Sequence, residues 1–435
     1  MMHITILTIG SRGDVQPFIA LGQGLQQAGH QVQLATHANF ESMTRNYGLN
    51  FSPVGGDIQA IMLEESGQKT LDAGGNPFTF MHRYAQMLEP MTERALVDSW
   101  NACQGTDAII AHGAAFWGYD IAQKLGVPFY LAGLQPFSPN RDFPHPMMPP
   151  ALRLGGLVNQ LTYWLMWQLF WQLFRKPINQ WRGNTLNLPT WEQNPFGDGR
   201  WQQVSILYGY SPTVIPKPGN WTEQLHVTGY WFLDSPPDFS PPPELVDFLE
   251  AGKPPVYIGF GSMTGRNPEL MTEIALSALA KTGQRGILLT GWGGISNADL
   301  PDSVFKIDSI PHDWLFPQMA AIVHHGGAGT TAAALRAGVP SIVIPFIGDQ
   351  HFWGHRVAQL GVGPKPIPKK KLTGEWLAMA IRTAVEDETM RQCAAILGQK
   401  IRSEDGVAQA VKAFHQHLFF QSMPVSVSVP KYLVG

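Results

Sequence analysis

The sequence predicts an α/β protein in which two doubly wound domains face each other across a cleft, and three observations support this fold class. The chain has 435 residues, which is too long for one ordinary core and suits two large domains. In both halves, short apolar runs that end in glycine or polar residues alternate with helix-like stretches, the pattern of parallel sheets covered by helices. The proline-rich segment 234–243, DSPPDFSPPP, is predicted to be a linker, because proline removes backbone donors and restricts the preceding residue.

The N-terminal domain is predicted over residues 1–233 and begins with a strand, a helix and a second strand. ITILTIG is a buried-strand run, the polar turn SRGD follows it, and a helix is expected from Pro17 to Ala28 before the strand QVQLAT. The strand-like runs DAIIAH and VPFYLA, with the helical stretch WGYDIAQKLG between them, repeat the pattern. Successive β-α-β units of this kind predict a parallel sheet.

The C-terminal domain is predicted over residues 244–405 from the same alternation. Its strand-like runs are PVYIGFGSM, GILLTG, AAIVHHGG and VPSIVIPF. Residues 406–435 begin as a helix, VAQAVKAFHQHL, which can fold back across either domain, and a return to the N-terminal domain is our hypothesis. Because α/β proteins bind ligands at the carboxyl ends of their strands, the cleft between the domains is the expected site.

Charge excludes one class of partner. The formal net charge of −3 and the pI near 6.5 give no broad positive field for a phosphate polymer, so we expect no nucleic acid partner. Lys365 and Lys369–Lys371 form a local basic cluster. This cluster is either a solvated loop or a segment attracted to an anionic membrane surface.

The cysteines and the N-terminus favour a reducing compartment. Cys103 and Cys393 lie far apart and have no partners at metal-ligand spacing, so the sequence indicates neither a disulfide framework nor a zinc site. Met1-Met2-His3 leads straight into a strand-like run, without the basic region and cleavage site of a signal peptide. We therefore expect a cytoplasmic protein.

One segment differs in character from the rest of the chain. Leu154–Phe174, LGGLVNQLTYWLMWQLFWQLF, contains no charge over 21 residues. Three interpretations remain open: a membrane span, a plain buried helix, or an exposed apolar wall for a hydrophobic substrate or a membrane surface. Its glutamines count against the span, since Gln160, Gln168 and Gln172 fall on one side of a helix, within an arc of about 120°.

Residues 321–331, AIVHHGGAGTT, predict a strand, a glycine turn and the start of a helix. Glycines let the backbone approach a ligand closely, while the free N–H groups and the positive dipole end of the helix favour a phosphate. A neighbouring histidine can donate a further hydrogen bond. A purely structural glycine turn is the alternative.

A second glycine-rich turn, GFGSMTG at Gly259–Gly265, misses the spacing of a dinucleotide-binding fingerprint by one residue. The expected acidic residue at the end of the next strand is also absent, so an NAD-dependent oxidoreductase is disfavoured. Ser262 and the backbone of this turn can still contact a diphosphate. A lipid-binding protein with a degenerate nucleotide site is the non-catalytic rival.

Several separated blocks in this order resemble a known family. HHGGAGTT followed by LRAGVPSIVIPFIGDQHFWGHRVAQLGVG, with IPHDWLFP upstream and IGSRGDVQPFIALGQGL near the N-terminus, is similar to UDP-sugar-dependent glycosyltransferases, most closely to sterol 3-β-glucosyltransferases. The resemblance covers most of residues 3–58 and 254–415, whereas about 140–201 has no matching motif. It implies the GT-B fold of two Rossmann-like domains, with the nucleotide sugar held mainly by the C-terminal domain.

The same resemblance implies residues of the donor site. His325 matches the histidine that contacts the diphosphate, and His324 is expected to be structural. Asp349 and Gln350 match the Asp-Gln pair that binds sugar hydroxyls. Arg12 either helps to neutralise the diphosphate or forms an ordinary surface ion pair. The remaining candidates from the matched blocks are Ser11, Gly13, Ile310, Gly327, Gly329 and Thr330.

The chain departs from the family where the nucleotide base is expected. Many members place a tryptophan in a Trp-x-Pro-Gln element to stack on uracil, but here that element is Ser309-Ile310-Pro311-His312. Stacking at that position is lost. Trp292, in the turn GWGG, is another candidate surface for the base, and simple packing of its ring is the alternative.

Asp14 is the predicted catalytic base. The sterol branch of the family carries an aspartate in this loop, GSRGDVQP, and a carboxylate there accepts the proton of the attacking hydroxyl. The alternative role, which is compatible with the first, is an N-terminal cap for the helix near Pro17. Attack from the face opposite UDP would invert the anomeric carbon.

The predicted reaction moves glucose from UDP-glucose to a hydrophobic alcohol, with a sterol as the first choice and a β-glucoside as the product. Another lipid or a soluble natural product such as a polyketide, flavonoid or terpenoid is the alternative acceptor. No metal or cofactor is expected, because preorganised donors stabilise the leaving diphosphate. Contact with a membrane surface as a peripheral protein would suit this acceptor. The acceptor-site candidates are His112, Tyr163, Trp167, Phe170 and Trp171.

Overall fold

The computed structural model describes residues 1–56, 77–149, 155–199, 201–236, 238–260, 268–289 and 300–422. Within these ranges the chain forms two parallel sheets with helices packed against them. The predicted α/β class is confirmed.

The N-terminal sheet has seven described strands in the order β3-β2-β1-β4-β5-β6-β7, all parallel. Its strands are β1 (His3–Leu7), β2 (Gln31–Thr36), β3 (Asn50–Pro53), β4 (Ala108–His112), β5 (Phe129–Gly133), β6 (Ser205–Tyr208) and β7 (Leu225–Val227). Its helices are α1 (Arg12–Gln27), α2 (Glu41–Asn46), α3 (Pro77–Ala102), α4 (Gly118–Leu125) and α5 (Gly156–Asn184). Apolar side chains such as Ile4, Ile6 and Ile110 are fully buried because both faces of the sheet are covered.

The C-terminal sheet has five described strands in the order β10-β9-β8-β11-β12, also parallel. Its strands are β8 (Val256–Gly259), β9 (Gly286–Leu289), β10 (Val304–Ile307), β11 (Ala321–His324) and β12 (Ser341–Val343). Its helices are α6 (Pro243–Glu250), α7 (Pro268–Thr282), α8 (His312–Leu315), α9 (Ala328–Ala337), α10 (Gln350–Gln359), α11 (Gly374–Glu386) and α12 (Glu388–Arg402). The runs predicted as strands from the sequence all contain strands, whereas β3, β6, β7 and β10 were not anticipated.

Strand order reverses once in each sheet, next to β1 and next to β8. In the first sheet β1 lies between β2 and β4, and in the second β8 lies between β9 and β11. Ligands of open α/β sheets bind at such reversal points, beyond the carboxyl ends of the strands. The residues that follow β1, β4 and β11 are therefore placed for function.

The last described helix, α13 (Gly406–Ser422), packs against the N-terminal domain. Phe414 is fully buried against the first sheet, and the hydroxyl of Tyr130 donates to the carbonyl of Phe414 at 2.9 Å. Gly24 of α1 packs directly on Val407, and any larger side chain at Gly24 would clash with it. The returning helix thus ties the end of the C-terminal half to the first domain.

Candidate active site

A cavity of about 1330 Å³ lies between the two sheets and takes its lining from both domains. The N-terminal side contributes the turn after β1, the end of β4 and part of α5, while the C-terminal side contributes the turn after β11 and the loop before α10. Of the residues predicted for the site, those that line it are Ser11, Arg12, Gly13, Asp14, His112, Trp167, Phe170, Ile310, His325, Gly327, Gly329, Thr330, Asp349 and Gln350. Ser262 and Trp292 lie outside the described residues.

The turn from β11 into α9 forms a cradle of main-chain donors. The helix begins at Ala328 with Gly327 as its N-cap, and its first hydrogen bond joins the N–H of Thr331 to the carbonyl of Gly327 at 2.9 Å. The N–H groups of Ala328, Gly329 and Thr330 therefore have no acceptor within the helix, and all three residues line the cavity. Such a helix start attracts an anion.

Glycine is required at two positions of this turn by direct geometry. Gly326 has a φ of +89°, and a Cβ there would lie 2.6 Å from a methyl group of Val343. At Gly327 a Cβ would clash with the Nε2 atom of His325. The imidazole ring therefore lies directly against the start of the helix, where a bound phosphate group would meet both.

The two histidines of the turn have different surroundings. His325 lines the cavity, its buried Nδ1 has no hydrogen-bond partner among the described residues, and burial lowers its pKa to about 4. The ring is thus neutral at pH 7 and keeps one N–H for a ligand. His324 is fully buried, accepts from the N–H of Gly326 at 3.1 Å and has a pKa lowered by burial to about 3, which agrees with a structural role.

The start of α1 faces the start of α9 across the cavity. A Cβ on Gly329 would lie 3.6 Å from the Cα of Gly13, so the two backbones approach each other closely. The positive dipole ends of both helices converge on one space, which favours a charged ligand such as a diphosphate. Arg12 is exposed at this rim, and its Nε donates to Gln16 at 3.2 Å, which differs from the ion pair considered from the sequence.

Asp14 lies in the first turn of α1, and this corrects the predicted helix start. The helix begins at Arg12 and not at Pro17, and Ser11 is the N-cap. Asp14 Oδ2 accepts from the N–H and from the hydroxyl of Ser11, each at 2.8 Å. Asp14 is therefore the third helical residue of a capping arrangement and at the same time borders the cavity, so its capping and proposed catalytic roles are compatible.

His112 lies beside Asp14 at the end of β4. Its Nδ1 is 3.3 Å from the carbonyl of Ile9, and its ring meets the edge of Phe18 at 5.4 Å. Burial lowers the pKa of His112, while the negative charge of Asp14 opposes that shift. Donation from Nδ1 to the carbonyl leaves Nε2 as the unprotonated nitrogen, since the neutral ring carries one proton.

Asp349 and Gln350 begin α10 on the C-terminal side. Burial raises the pKa of Asp349 to about 6, although the indole N–H of Trp353, at 2.8 Å, opposes the shift. The Oε1 atom of Gln350 accepts from the N–H groups of Phe346 and Ile347 at 2.8 and 3.0 Å. The side-chain carbonyl of Gln350 thus stabilises the loop at Phe346 and Ile347. Its amide N–H groups remain available to donate to a sugar hydroxyl.

The four aromatic candidates on α5 divide into two groups by position. Trp167 and Phe170 line the cavity, whereas Tyr163 and Trp171 are almost completely buried and do not reach it. Tyr163 accepts from the amide of Asn140 at 2.6 Å, and Trp171 belongs to the core. Among the described residues, which include α5, no helix is long and apolar enough to cross a bilayer.

The other apolar residues of the cavity wall belong to no sequence motif, and the sequence analysis did not identify them. They surround Trp167 and Phe170 with side chains from four other segments, namely Phe116, Phe137, Met147, Phe196 and Trp201. On the C-terminal side His312 was missed as well. Its ring stacks on Phe316 at 4.1 Å, and burial lowers its pKa to about 4.

The fold and this cavity define an α/β protein of the GT-B type, and solved structures agree. The glycosyltransferase of kitacinnamycin matches with a TM-score of 0.70 at 17% identity, covering 96% of this chain and 98% of that one. VinC, solved in complex with DTDP, matches with a TM-score of 0.65 at 19% identity, covering 96% of this chain and all of that one. At such identities the likeness concerns the fold.

Sequence comparisons specify the family. Residues 4–143 match the glycosyltransferase family 28 N-terminal domain, and residues 291–415 match the erythromycin biosynthesis protein CIII-like C-terminal domain. Sterol 3-beta-glucosyltransferase UGT80A2 of Arabidopsis thaliana is 40% identical over 99% of this chain and 68% of its own length. The chain belongs to the sterol 3-beta-glucosyltransferase family. It spans about a quarter, 27%, of the Cryptococcus neoformans relative, which is also 40% identical.

Proposed function

We propose that this protein transfers glucose from UDP-glucose to the hydroxyl of a sterol and produces a β-glucoside. The observation that carries the proposal is one cavity that joins a main-chain anion cradle at Gly327–Thr330 to an aromatic wall at Trp167 and Phe170. Asp14 borders the same cavity. Membership of the sterol glucosyltransferase family supports both substrates.

The aromatic wall would hold the rings of the acceptor. Phe116, Phe170 and Phe196 contact one another with ring centroids 5.2 to 6.2 Å apart. A flat polycyclic alcohol buries its apolar area against such a surface at roughly 25 cal/mol per Å². The hydroxyl end would then lie toward Asp14 and His112, which line the same cavity.

Asp14 would accept the hydroxyl proton as the oxygen attacks the anomeric carbon. Ser11 holds one carboxylate oxygen through two hydrogen bonds, which fixes the direction of the other. His112, with Nδ1 bound to a carbonyl, presents a neutral nitrogen nearby and orients the acceptor. One displacement from the face opposite UDP inverts the anomeric configuration.

The leaving diphosphate would be stabilised by the C-terminal domain. The three free N–H groups of α9 and the neutral His325 donate to its oxygens as negative charge develops, and they need no reorganisation at that moment. We propose on this basis that no metal ion or other cofactor is required. Asp349 and Gln350 would bind the hydroxyls of the sugar.

We further propose a reducing compartment and a peripheral contact with a membrane. Cys103 is buried and Cys393 is partly buried, and both are free thiols. Burial raises the pKa of Cys103, so this thiol is unreactive. Sterols dissolve in bilayers, so a transferase that uses them works where protein and membrane meet. The cytoplasm satisfies both conditions.

The test is incubation with UDP-glucose and, in separate reactions, detergent-dispersed cholesterol, diacylglycerol and a soluble phenol, followed by mass spectrometry of the products. We expect a cholesterol monoglucoside that forms equally well in excess EDTA. A glucosylated phenol without a sterol product would indicate a natural-product glycosyltransferase. UDP binding without any transfer would refute the enzymatic proposal, and loss of activity in EDTA would refute the metal-independent mechanism.

A further inference from the structure

The first turns of α5 carry an exposed apolar surface, which we call the α5 tip: Leu157, Val158, Leu161, Trp164 and Leu165. Their exposed fractions run from 38% for Val158 to 69% for Leu157. These five account for nearly half of the large apolar side chains that are exposed within the described ranges. A contiguous patch of this kind marks an interaction site, whereas scattered exposed apolar residues do not.

The outer face of α5 changes character along its length. With 3.6 residues per turn, the α5 tip, Gln168, Gln172, Arg175 and Lys176 all fall within an arc of about 120°. These four polar and basic residues are exposed as well. The same face is therefore apolar over about 12 Å, then amidic, then basic. A helix that lies flat in a membrane surface separates polar from apolar around its axis, whereas this pattern suits insertion by one end.

Charge on α5 matches an anionic bilayer. The helix contains Arg175, Lys176 and Arg182 and no acidic residue. Arg182 is buried with Asp120, so Arg175 and Lys176 are its exposed charges. Basic side chains of this kind are attracted to the negative surface of an anionic bilayer.

The next turns of the same helix form part of the cavity wall, through Trp167 and Phe170. Trp164 of the α5 tip meets Trp167 of the cavity wall edge to face at 5.3 Å. The amide of Asn159 donates to the carbonyl of Arg141 at 2.9 Å, and the hydroxyl of Thr162 accepts from the N–H of His145 at 2.8 Å. These bonds fasten the loop that carries the cavity residues His145 and Met147 to the α5 tip.

We propose that the α5 tip inserts into the surface of an anionic lipid bilayer and delivers membrane-dissolved acceptor directly to the cavity behind it. The inference rests on the proposed function in one respect, since it requires an acceptor that resides in the membrane. The apolar end enters the headgroup and acyl boundary by roughly 5–10 Å. Arg175 and Lys176 follow Leu165 by about 15 Å along the helix axis and add electrostatic attraction to the anionic surface. The enzyme thereby avoids releasing the sterol into water.

The test compares two double variants that each replace two exposed apolar residues on a helix. Leu161→Gln with Leu165→Gln removes the centre of the α5 tip, and Trp376→Gln with Met379→Gln is the matched control on α11, where the exposed fractions are 47% and 54%. All proteins are floated with vesicles of phosphatidylcholine and phosphatidylserine that contain cholesterol. We expect the α5 variant to lose vesicle binding at least about 10-fold, and the control to keep it.

Activity measurements separate this inference from the proposed function. We expect the α5 variant to glucosylate detergent-dispersed cholesterol at the wild-type rate and vesicle-embedded cholesterol at least about 10-fold more slowly. Equal flotation of the α5 variant and wild type would overturn the membrane proposal, as would a dimer that the α5 variant converts to a monomer without change in flotation. No glucoside from the wild type in detergent would refute the proposed function instead, and flotation would still decide the role of the α5 tip.

Discussion

The two sides of the cavity differ in composition: one is mostly main chain and the other is mostly aromatic side chains. The C-terminal side is mostly main chain, a single turn from His325 to Thr330 with the loop at Asp349 beside it. The N-terminal wall consists of aromatic side chains from segments as far apart as Phe116 and Trp201. A phosphate has the same shape in every nucleotide sugar, so a rigid backbone cradle suffices for it. Acceptors differ in shape, and side chains can be exchanged without rebuilding the backbone.

The largest effect is expected where the two sides meet, at Asp14. Asp14→Asn keeps an oxygen that can accept from Ser11 but cannot take up a proton, so kcat should fall by about 10²- to 10⁴-fold while UDP affinity stays the same. Steady-state kinetics and calorimetric titration with UDP measure the two quantities. Ser11→Ala is the control for loss of orientation alone and should cost far less. A full transfer rate in Asp14→Asn would remove the base from the mechanism.

The main-chain side should be intolerant of a single methyl group. Gly327→Ala places its Cβ against Nε2 of His325, so UDP binding should weaken by about 10- to 100-fold, the value of one or two charge-assisted hydrogen bonds. Calorimetric measurement of UDP affinity for Gly327→Ala, His325→Ala and the double variant completes a double-mutant cycle. Once the ring is gone, the added methyl group should cost little. Independent, additive losses would show that the two residues do not act together.

On the aromatic side, neighbouring residues of α5 should affect different properties: one the binding of the sterol, the other the stability of the fold. Phe170→Ala opens the cavity wall, so KM for the sterol should rise about 10-fold while UDP affinity is unchanged. Trp171→Ala, one residue further and 1% exposed, should instead lower the free energy of unfolding by about 3–5 kcal/mol. Kinetics and chemical denaturation distinguish the two. If both variants changed only KM, the division of α5 into a wall and a core would be wrong.

The smallest expected effect is a dependence of donor binding on pH. The pKa of Asp349 is raised by burial to about 6, so below pH 6 the carboxyl gains a proton and loses an acceptor for sugar hydroxyls. KM for UDP-glucose should therefore rise several-fold as the pH falls from 7 to 5. His325, with a pKa lowered to about 4, stays neutral throughout this range and contributes no inflection. Asp349→Asn should abolish the dependence, and its persistence in that variant would assign it to another group.

The contrast between the main-chain cradle and the aromatic wall also explains how much of the site could be predicted from the sequence. The cradle is contiguous along the chain, so its glycines, histidine and threonines are recognisable from the amino-acid sequence alone. The wall is assembled from distant segments, and within α5 the apolar pattern alone could not separate Phe170, which lines the cavity, from Trp171, which is buried. Both are large aromatic residues, and only the packing of the neighbouring segments decides which one reaches the cavity.

The start of α1 was misplaced for a local reason. The sequence predicted a start at Pro17, and proline is common at the first position of a helix. The helix begins at Arg12 because Ser11 and Asp14 form the capping arrangement, and it accommodates Pro17 in its interior. Pro17 cannot donate to the carbonyl of Gly13, which leaves that acceptor unused by the helix at the edge of the cavity.

The most direct test of the main-chain cradle is a crystal structure with bound UDP. We predict that the diphosphate oxygens lie within hydrogen-bonding distance of the N–H groups of Ala328, Gly329 and Thr330 and of the ring of His325. A diphosphate held elsewhere in the cavity, with those N–H groups unoccupied, would contradict it.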